Sequence, residues 1–180
     1  IIAMEAEVFG LIRSSMEEDA GAAVLLDIGA QSSTINAVYK RSLRVSHSVD
    51  IAGNTLTERI SQSLTGTPEN SEQEKQAKGI TDQSFMTILS PLIDLLMVEI
   101  QKVSGEFLQL EGKEIEKVII GGGSANLPGL KEYIEKNIGK PTQIVHPFQS
   151  IFYPPILEQT LKNAGPSYGV AVGMALRGFE

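Results

Sequence analysis

Two short apolar runs, each closing on a glycine turn, constrain the fold of this chain more than any other feature. Residues 22–28 read AAVLLDI and lead into Gly29, and residues 116–120 read EKVII and lead into three glycines at 121–123. Short apolar runs that end at turn residues are typical of buried strands. The sequence therefore predicts an α/β protein in which two glycine turns follow two buried strands.

The segments around these runs predict further strands and helices. Residues 34–39 and 43–51 alternate apolar with polar side chains, which favours an antiparallel meander with residues 22–28. Apolar residues at helical spacing predict helices over 5–16, 54–64, 85–110, 130–137 and 168–177, and TQIV predicts a short strand over 142–145. Pro91 is expected in the first turn of the longest helix. Residues 71–74, SEQE, indicate the start of one more helix.

Composition excludes several classes of protein. The chain has 180 residues, no cysteine, 15 Lys+Arg against 22 Asp+Glu, and a formal net charge of -7. Zero cysteine excludes a disulfide framework, a thiolate metal site and a cysteine nucleophile. The acidic balance argues against a broad nucleic-acid surface. Asp94 and Glu99 interrupt the longest apolar run, so no segment is expected to span a bilayer. The chain begins with Ile1 rather than Met, and we expect a piece of a longer protein.

The turn DIGAQSS at residues 27–33 is a candidate phosphate site. A carboxylate at the mouth of a buried strand is costly unless it binds something, and Gly29 allows close approach of a ligand. Successive backbone N–H groups with two hydroxyls form an anion-binding nest. The pattern indicates a phosphate, with Asp27 near its Mg²⁺ through water. An ordinary hairpin with a capping Asp27 is the alternative interpretation.

Two further motifs carry candidate chemistry. Residues 121–124, GGGS, join a strand to a predicted helix, and would let a flat ligand lie against bare backbone with a helix N-terminus pointing at it. This spacing is neither the Rossmann fingerprint nor a Walker A loop. Glu72 and Lys75 share one face of a predicted helix, where a solvated ion pair is the alternative interpretation.

In this order, the motifs resemble the C-terminal half of the PilM-like branch of the actin-like ATPase superfamily. The resemblance rests on EAEVFGLIRSS, LLDIGAQSSTINAVY, SVDIAGNTLTERI, VIIGGGSANLPGL and SYGVAVGMALR, which together run from Glu5 to Arg177. It implies an actin-like (ribonuclease H-like) lobe with a mixed β-sheet flanked by helices. Residues 1–18 would link it to a missing N-terminal half, 19–64 and 114–180 would form the lobe, and 65–113 would form a small inserted helical subdomain.

The resemblance also implies an ATP and Mg²⁺ site. Asp27 would hold Mg²⁺ through water, and Glu5 falls near the family's water-positioning carboxylate. Gln31 stands where many relatives have Gly, and Asn126 stands where chaperone relatives have Arg. The implied nucleotide-binding residues are Asp27, Gly29, Ala30, Gln31, Ser32, Ser33, Gly53, Glu72, Lys75, Gly122, Gly123, Ser124, Asn126 and Leu127.

The resemblance implies a cytoplasmic, ATP-binding scaffold of the type IV pilus inner-membrane assembly platform, whose nucleotide state controls partner binding. The implied partners are a PilN-like inner-membrane protein, with its peptide groove in the missing half, and other platform and motor proteins. No nucleic acid is expected, and membrane contact is expected only through partners. The full-length protein would be at most a slow ATPase, and this fragment alone inactive. An FtsA-like cell-division ATPase, a sugar-kinase-type phosphotransferase half and a non-nucleotide interaction module are the alternatives.

Overall fold

A mixed five-stranded sheet organises the chain, in a computed structural model that describes residues 4–17, 20–149 and 151–179. The strands are β1 (Ala23–Ile28), β2 (Ser33–Tyr39), β3 (Ser42–Val49), β4 (Lys117–Gly121) and β5 (Thr142–Ile144). The α-helices are α1 (Glu7–Ser15), α2 (Gly53–Leu64), α3 (Pro68–Lys78), α4 (Gln83–Glu111), α5 (Leu130–Ile138) and α6 (Glu158–Leu176).

The strand order is β3-β2-β1-β4-β5. β1, β2 and β3 form the predicted antiparallel meander, while β4 pairs in parallel with β1 and β5 in parallel with β4. In the β1–β4 register, Asp27 lies opposite Gly121. Because parallel strands end at the same edge of a sheet, the two glycine turns leave the sheet side by side.

The central strands are buried on both faces. Val24, Leu26 and Ile120 belong to a core that also includes buried side chains of α2, α4 and α5. Leu25 and Ile119 face the other way, into a second core formed with α1 and the partly buried Val170 of α6. This layering explains why the strands read as continuous apolar runs rather than as alternating ones.

Helix α4 begins before the predicted position, and Pro91 lies well inside it rather than in its first turn. The Asp82 carboxylate accepts hydrogen bonds from the N–H groups of Ser84 and Phe85, and so caps the helix at that point. Pro91 is exposed, so its ring is accommodated at the surface of the helix. α4 is long and apolar enough by composition to cross a membrane, but eight of its side chains are buried in the protein core.

Two other helices also begin earlier than the sequence pattern indicates. α3 starts at Pro68, where Thr67 caps it, so Glu72 and Lys75 lie within the helix rather than at its start. α6 starts at Glu158, ten positions ahead of the predicted start at Tyr168, and includes Pro166. Residues 1–3 and 18 of the predicted linking segment lie outside the described residues. The proposed division into lobe and subdomain stays a prediction.

The α1–α6 crossing brings two helix backbones into direct contact. A Cβ built on Gly173 would overlap the carbonyl oxygen of Gly10, and a Cβ on Gly10 would lie 2.8 Å from the carbonyl oxygen of Val170. Backbone atoms cannot move aside as a flexible side chain can. The crossing distance therefore depends on the absence of side chains at Gly10 and Gly173.

We expect Gly173→Ala to lower the free energy of unfolding by about 1–3 kcal/mol, because the added methyl group forces the two helices apart. Urea unfolding of the variant measures this change. Gly105→Ala is the matched control, because a Cβ at this position in α4 meets nothing within 4 Å. It is expected to raise the free energy of unfolding by up to about 1 kcal/mol. Equal effects of the two substitutions would contradict the packing argument.

Candidate functional site

The two glycine turns meet at the end of the sheet. Gly122 adopts φ +87°, and a Cβ on it would lie 2.5 Å from Asp27 Oδ1 and would overlap the carbonyl oxygen of Ile28. The N–H of Ser124 donates to the same carbonyl oxygen of Ile28 at 3.4 Å. A side chain at position 122 is thus excluded both by backbone conformation and by space.

The first turn, residues 29–32, presents unpaired backbone donors. Its ends are closed by the Gly29 N–H, which donates to the Ser32 carbonyl oxygen at 3.1 Å. Within the described residues, the N–H groups of Ala30, Gln31 and Ser32 have no acceptor, and these three residues are exposed. Successive free N–H groups in a tight turn suit an anion. Ser33 differs, because it is buried and its Oγ donates to the Ile51 carbonyl oxygen at 2.5 Å.

Helix α2 fixes the back of this turn. The N–H groups of Gly53 and Asn54 donate to the carbonyl oxygens of Gly29 (2.9 Å) and Ala30 (3.0 Å). A Cβ on Gly53 would lie 2.8 Å from Ser124 Oγ, in the second glycine turn. Gly53 is therefore the point at which the first turn, the second turn and α2 converge.

Asp27 is a half-buried carboxylate at the carboxyl end of β1. Within the described residues it has no hydrogen-bond or ion-pair partner. Burial, and secondarily the negative charge of Glu7, raises the pKa of Asp27 above its ordinary value of 3.8. A carboxylate that is desolvated and unpaired beside free N–H donors has the character of a ligand for a hydrated cation. The described residues contain no cluster of three or more His, Cys, Asp or Glu side chains that could hold a metal ion.

Glu72 and Lys75 form an ion pair whose lysine is buried and whose glutamate is partly exposed. The Lys75 side chain is 4% exposed, and its Nζ lies 2.6 Å from Glu72 Oε2. The same Nζ donates to Thr57 Oγ1 at 2.8 Å and to the Gly53 carbonyl oxygen at 3.0 Å. Burial acts to raise the pKa of Glu72, but hydrogen bonds from Lys75, Thr57 and Gln76 outweigh it and lower the pKa.

The second glycine turn is tied to α6. The Gly122 N–H donates to the Pro166 carbonyl oxygen at 2.9 Å, and Asn126 Nδ2 donates to the Asn163 carbonyl oxygen at 2.7 Å. Leu127 is buried in the core, so its side chain packs inward. Gly123 is exposed and Ser124 is buried beside Gly53. The helix after this turn, α5, begins only at Leu130, so its N-terminus does not follow the glycines directly.

Glu5 takes part in an ion-pair network between the two chain ends. Its carboxylate oxygens lie 2.7 Å from Arg13 Nη1 and 2.7 Å from Arg177 Nη1. The hydrogen bond from Arg13, together with the charge of both guanidinium groups, lowers the pKa of Glu5. Arg13 Nη1 also donates to the Gly173 carbonyl oxygen at 2.9 Å, which ties this network to the α1–α6 crossing. The catalytic role of Glu5 stays a prediction.

Sequence reasoning missed three participants. Thr57 links Lys75 and Glu72, and a polar residue on the otherwise apolar buried side of α2 was the available signal. The hydrogen bonds from the second turn to Asn163 and Pro166 are accepted by main-chain carbonyl oxygens, for which side-chain patterns give no signal.

The five-stranded sheet and its flanking helices have the actin-like fold. The structure matches MreB 5 of Spiroplasma citri bound to AMPPNP with a TM-score of 0.70 and 13% identity, over 96% of this chain and 57% of that one. It matches a chain of a PilM–PilN type IV pilus biogenesis complex with a TM-score of 0.83 and 24% identity, over 99% of this chain and 53% of that one. The predicted fold class is confirmed.

Residues 3–179 match the family described as type IV pilus assembly protein PilM. The match covers nearly the whole sequence, and the chain belongs to this family. Cell division protein FtsA of Staphylococcus epidermidis is 27% identical over 165 residues, covering 78% of this chain and 35% of FtsA. The chain thus spans about a third of FtsA and about half of the matched chain in the solved complex.

We expect Asp27→Asn to stabilise the ligand-free protein at neutral pH. Because the pKa of Asp27 is raised in the folded state, the folded protein binds the proton more tightly than the unfolded chain does. The free energy of unfolding therefore falls as the pH rises from 3.8 through the folded-state pKa. The uncharged amide of Asn removes this loss of stability. Thermal unfolding should show a higher Tm for Asp27→Asn at pH 7, with the difference narrowing as the pH approaches 3.8. Asp50→Asn, at an exposed carboxylate, is the control, and a lower Tm for Asp27→Asn at pH 7 would contradict the electrostatic argument.

Proposed function

We propose that this chain is the C-terminal, nucleotide-binding half of an ATP-binding scaffold protein in a type IV pilus assembly platform. The observation that supports it most is the contact between the two glycine turns, where Gly122 lies against Asp27 and Ile28 with no room for a side chain. Such a junction brings two turns of exposed backbone next to each other, as a ligand with a phosphate end and a nucleoside end requires. Membership of the PilM family supports the assignment to pilus assembly.

The phosphate end would lie on the first turn. The free N–H groups of Ala30, Gln31 and Ser32 would donate to phosphate oxygens, and Gly29 would allow close approach. Asp27 would hold a hydrated Mg²⁺, which suits its unpaired carboxylate. When bound, the cation neutralises charge on the phosphates. MreB 5 of Spiroplasma citri, bound to AMPPNP, has the same fold and supports a nucleotide ligand.

The nucleoside end would lie on the second turn. Gly122 and Gly123 offer main chain without side chains, and the exposed face of Glu72 can accept a hydrogen bond from a ribose hydroxyl. Asn126 and Leu127 would support this bed rather than contact the base, because the Asn126 amide donates to α6 and Leu127 is in the core.

Hydrolysis would be slow at most, and only in the full-length protein. Phosphoryl transfer to water needs an oriented nucleophile and charge stabilisation on both sides of the phosphate. Glu5 would have to leave or share its ion pairs with Arg13 and Arg177 to orient a water molecule. The role proposed for nucleotide is therefore to hold the two halves of the protein together and to control partner binding, by favouring one conformation over another.

A PilN-like inner-membrane protein is the proposed partner. The solved complex that this chain resembles pairs PilM with PilN, and this chain covers 53% of the PilM chain in it. We place the partner's peptide groove in the other half, with the protein cytoplasmic and at the inner membrane only through partners. Other platform and motor proteins would bind the same assembly. An FtsA-like cell-division ATPase is the second candidate, favoured by the 27% identity with FtsA.

The full-length protein is expected to bind Mg-ATP in isothermal titration, and Asp27→Asn should weaken that affinity by at least about tenfold, because the cation loses the carboxylate proposed to hold it. The loss should shrink when Mg²⁺ is replaced by EDTA, since ATP alone does not use the carboxylate.

Asp50→Asn removes an exposed carboxylate at the end of β3 and is the matched control, with unchanged affinity expected. Heat no larger than buffer dilution for the wild type would reject nucleotide binding and leave an interaction module. An unchanged affinity in Asp27→Asn would reject the role proposed for Asp27 but not nucleotide binding itself.

Nucleotide is expected to change the affinity of the full-length protein for the N-terminal cytoplasmic peptide of a PilN-like partner by about fivefold or more, which lies within the usual range of allosteric coupling. Fluorescence anisotropy of the labelled peptide, with and without Mg-AMPPNP, measures the change. Asp27→Asn should require about tenfold more Mg-AMPPNP to produce the same change in peptide affinity. Equal peptide affinity with and without nucleotide in the wild type would contradict nucleotide control.

A further inference from the structure

Lys75 is a cation whose hydrogen-bond donors are all used inside the protein. An ammonium group has three N–H donors. Lys75 Nζ meets three oxygens: Glu72 Oε2 at 2.6 Å, Thr57 Oγ1 at 2.8 Å and the Gly53 carbonyl oxygen at 3.0 Å. With the side chain 4% exposed, neither water nor a ligand is needed to complete this shell. A buried charge satisfied in this way holds the segments around it in place.

The oxygens around Lys75 belong to two different helices. Gly53 and Thr57 are the first-turn and second-turn residues of α2, and Glu72 lies in α3. Gly53 in turn donates its N–H to the Gly29 carbonyl oxygen at 2.9 Å, and the next residue donates to Ala30. A continuous path of hydrogen bonds therefore runs from Glu72 through Lys75 and Gly53 to the first turn.

Glu72 is the exposed end of this path. Its side chain is 39% exposed, and its Oε1 accepts a hydrogen bond from Gln76 at 2.8 Å. A carboxylate oxygen accepts two hydrogen bonds, so Oε1 keeps acceptor capacity on the open side. Glu72 can contact a ligand, whereas Lys75 behind it cannot without giving up a partner.

We propose that Lys75 is a positioning residue that fixes the ribose-facing carboxylate of Glu72 and the phosphate-facing turn in one geometry, and that it is not itself a nucleotide ligand. The proposal rests on the proposed function. It differs from the expectation of a direct Lys75 contact, and the difference is measurable. If Lys75 contacted the ribose directly, its loss would not change the affinity for a ligand that has no ribose. If Lys75 positions the phosphate turn, its loss weakens the binding of such a ligand as well.

The test compares Mg-ATP with Mg-tripolyphosphate, which lacks ribose and base, by isothermal titration into the full-length protein. Lys75→Met removes the ammonium group and keeps an unbranched chain. Lys78→Met is the matched control one turn further along α3, where the lysine is 44% exposed and pairs with Glu74. Thr57→Val removes the bridging hydroxyl with little change in shape. It replaces Lys75→Met in the test if circular dichroism shows that Lys75→Met does not fold.

We expect Lys75→Met to weaken both Mg-ATP and Mg-tripolyphosphate by about tenfold, and Thr57→Val to weaken both in the same direction, since loss of a buried partner loosens the path to Gly53. Lys78→Met should leave both affinities within about twofold, as is usual for an exposed ion pair. Folded Lys75→Met, or folded Thr57→Val, with unchanged tripolyphosphate affinity would overturn the proposal.

Two wild-type results separate this inference from the proposed function. Binding of Mg-ATP without binding of Mg-tripolyphosphate would overturn the inference alone, because the path described above predicts a phosphate turn that is formed without ribose. Binding of neither ligand would overturn the proposed function, and the inference with it.

Discussion

The structure depends on one close backbone contact, between Gly122 and the end of β1. The parallel pairing of β1 with β4 sets Asp27 opposite Gly121, and the next residue turns back over Asp27 and Ile28. A Cβ at position 122 would require either turn to move away from the sheet edge, and φ +87° adds strain for any residue other than glycine. Through this contact the two glycine turns lie directly against each other at the sheet edge.

A second layer of interactions keeps these two turns in place. The N–H groups of Gly53 and Asn54 in α2 donate hydrogen bonds to the first turn. The Pro166 carbonyl oxygen in α6 accepts a hydrogen bond from the second turn. Lys75 adds a charged centre where α2 meets α3. A buried cation costs solvation energy unless its shell is complete, and three oxygens complete the shell of Lys75 Nζ.

The sequence predicted the sheet well because its signals are local. The runs at 22–28 and 116–120, and the alternation of the next two strands, follow from burial and from the two-residue period of strands. Helix starts were harder. Thr67 and Asp82 cap α3 and α4 ahead of any apolar periodicity, and α6 includes Pro166 and begins upstream of the predicted start.

The candidate residues could be named from motifs, but their surroundings could not. Asp27 has no partner among the residues that the structure describes, whereas the Ser33 hydroxyl donates to the Ile51 carbonyl oxygen. Glu72 is exposed and Lys75 is enclosed. A sequence pattern does not distinguish the members of either pair. These distinctions arise from contacts between residues far apart in the chain. They decide which groups can meet a ligand.

The most direct test of the account is the backbone amide spectrum of the full-length protein during titration with Mg-AMPPNP. If both turns bind one nucleotide, the amide signals of Ala30, Gln31 and Ser32 and those of Gly122 and Gly123 shift together along a single saturation curve. Shifts confined to one turn, or two curves with different midpoints, would contradict the claim that the two turns form one site.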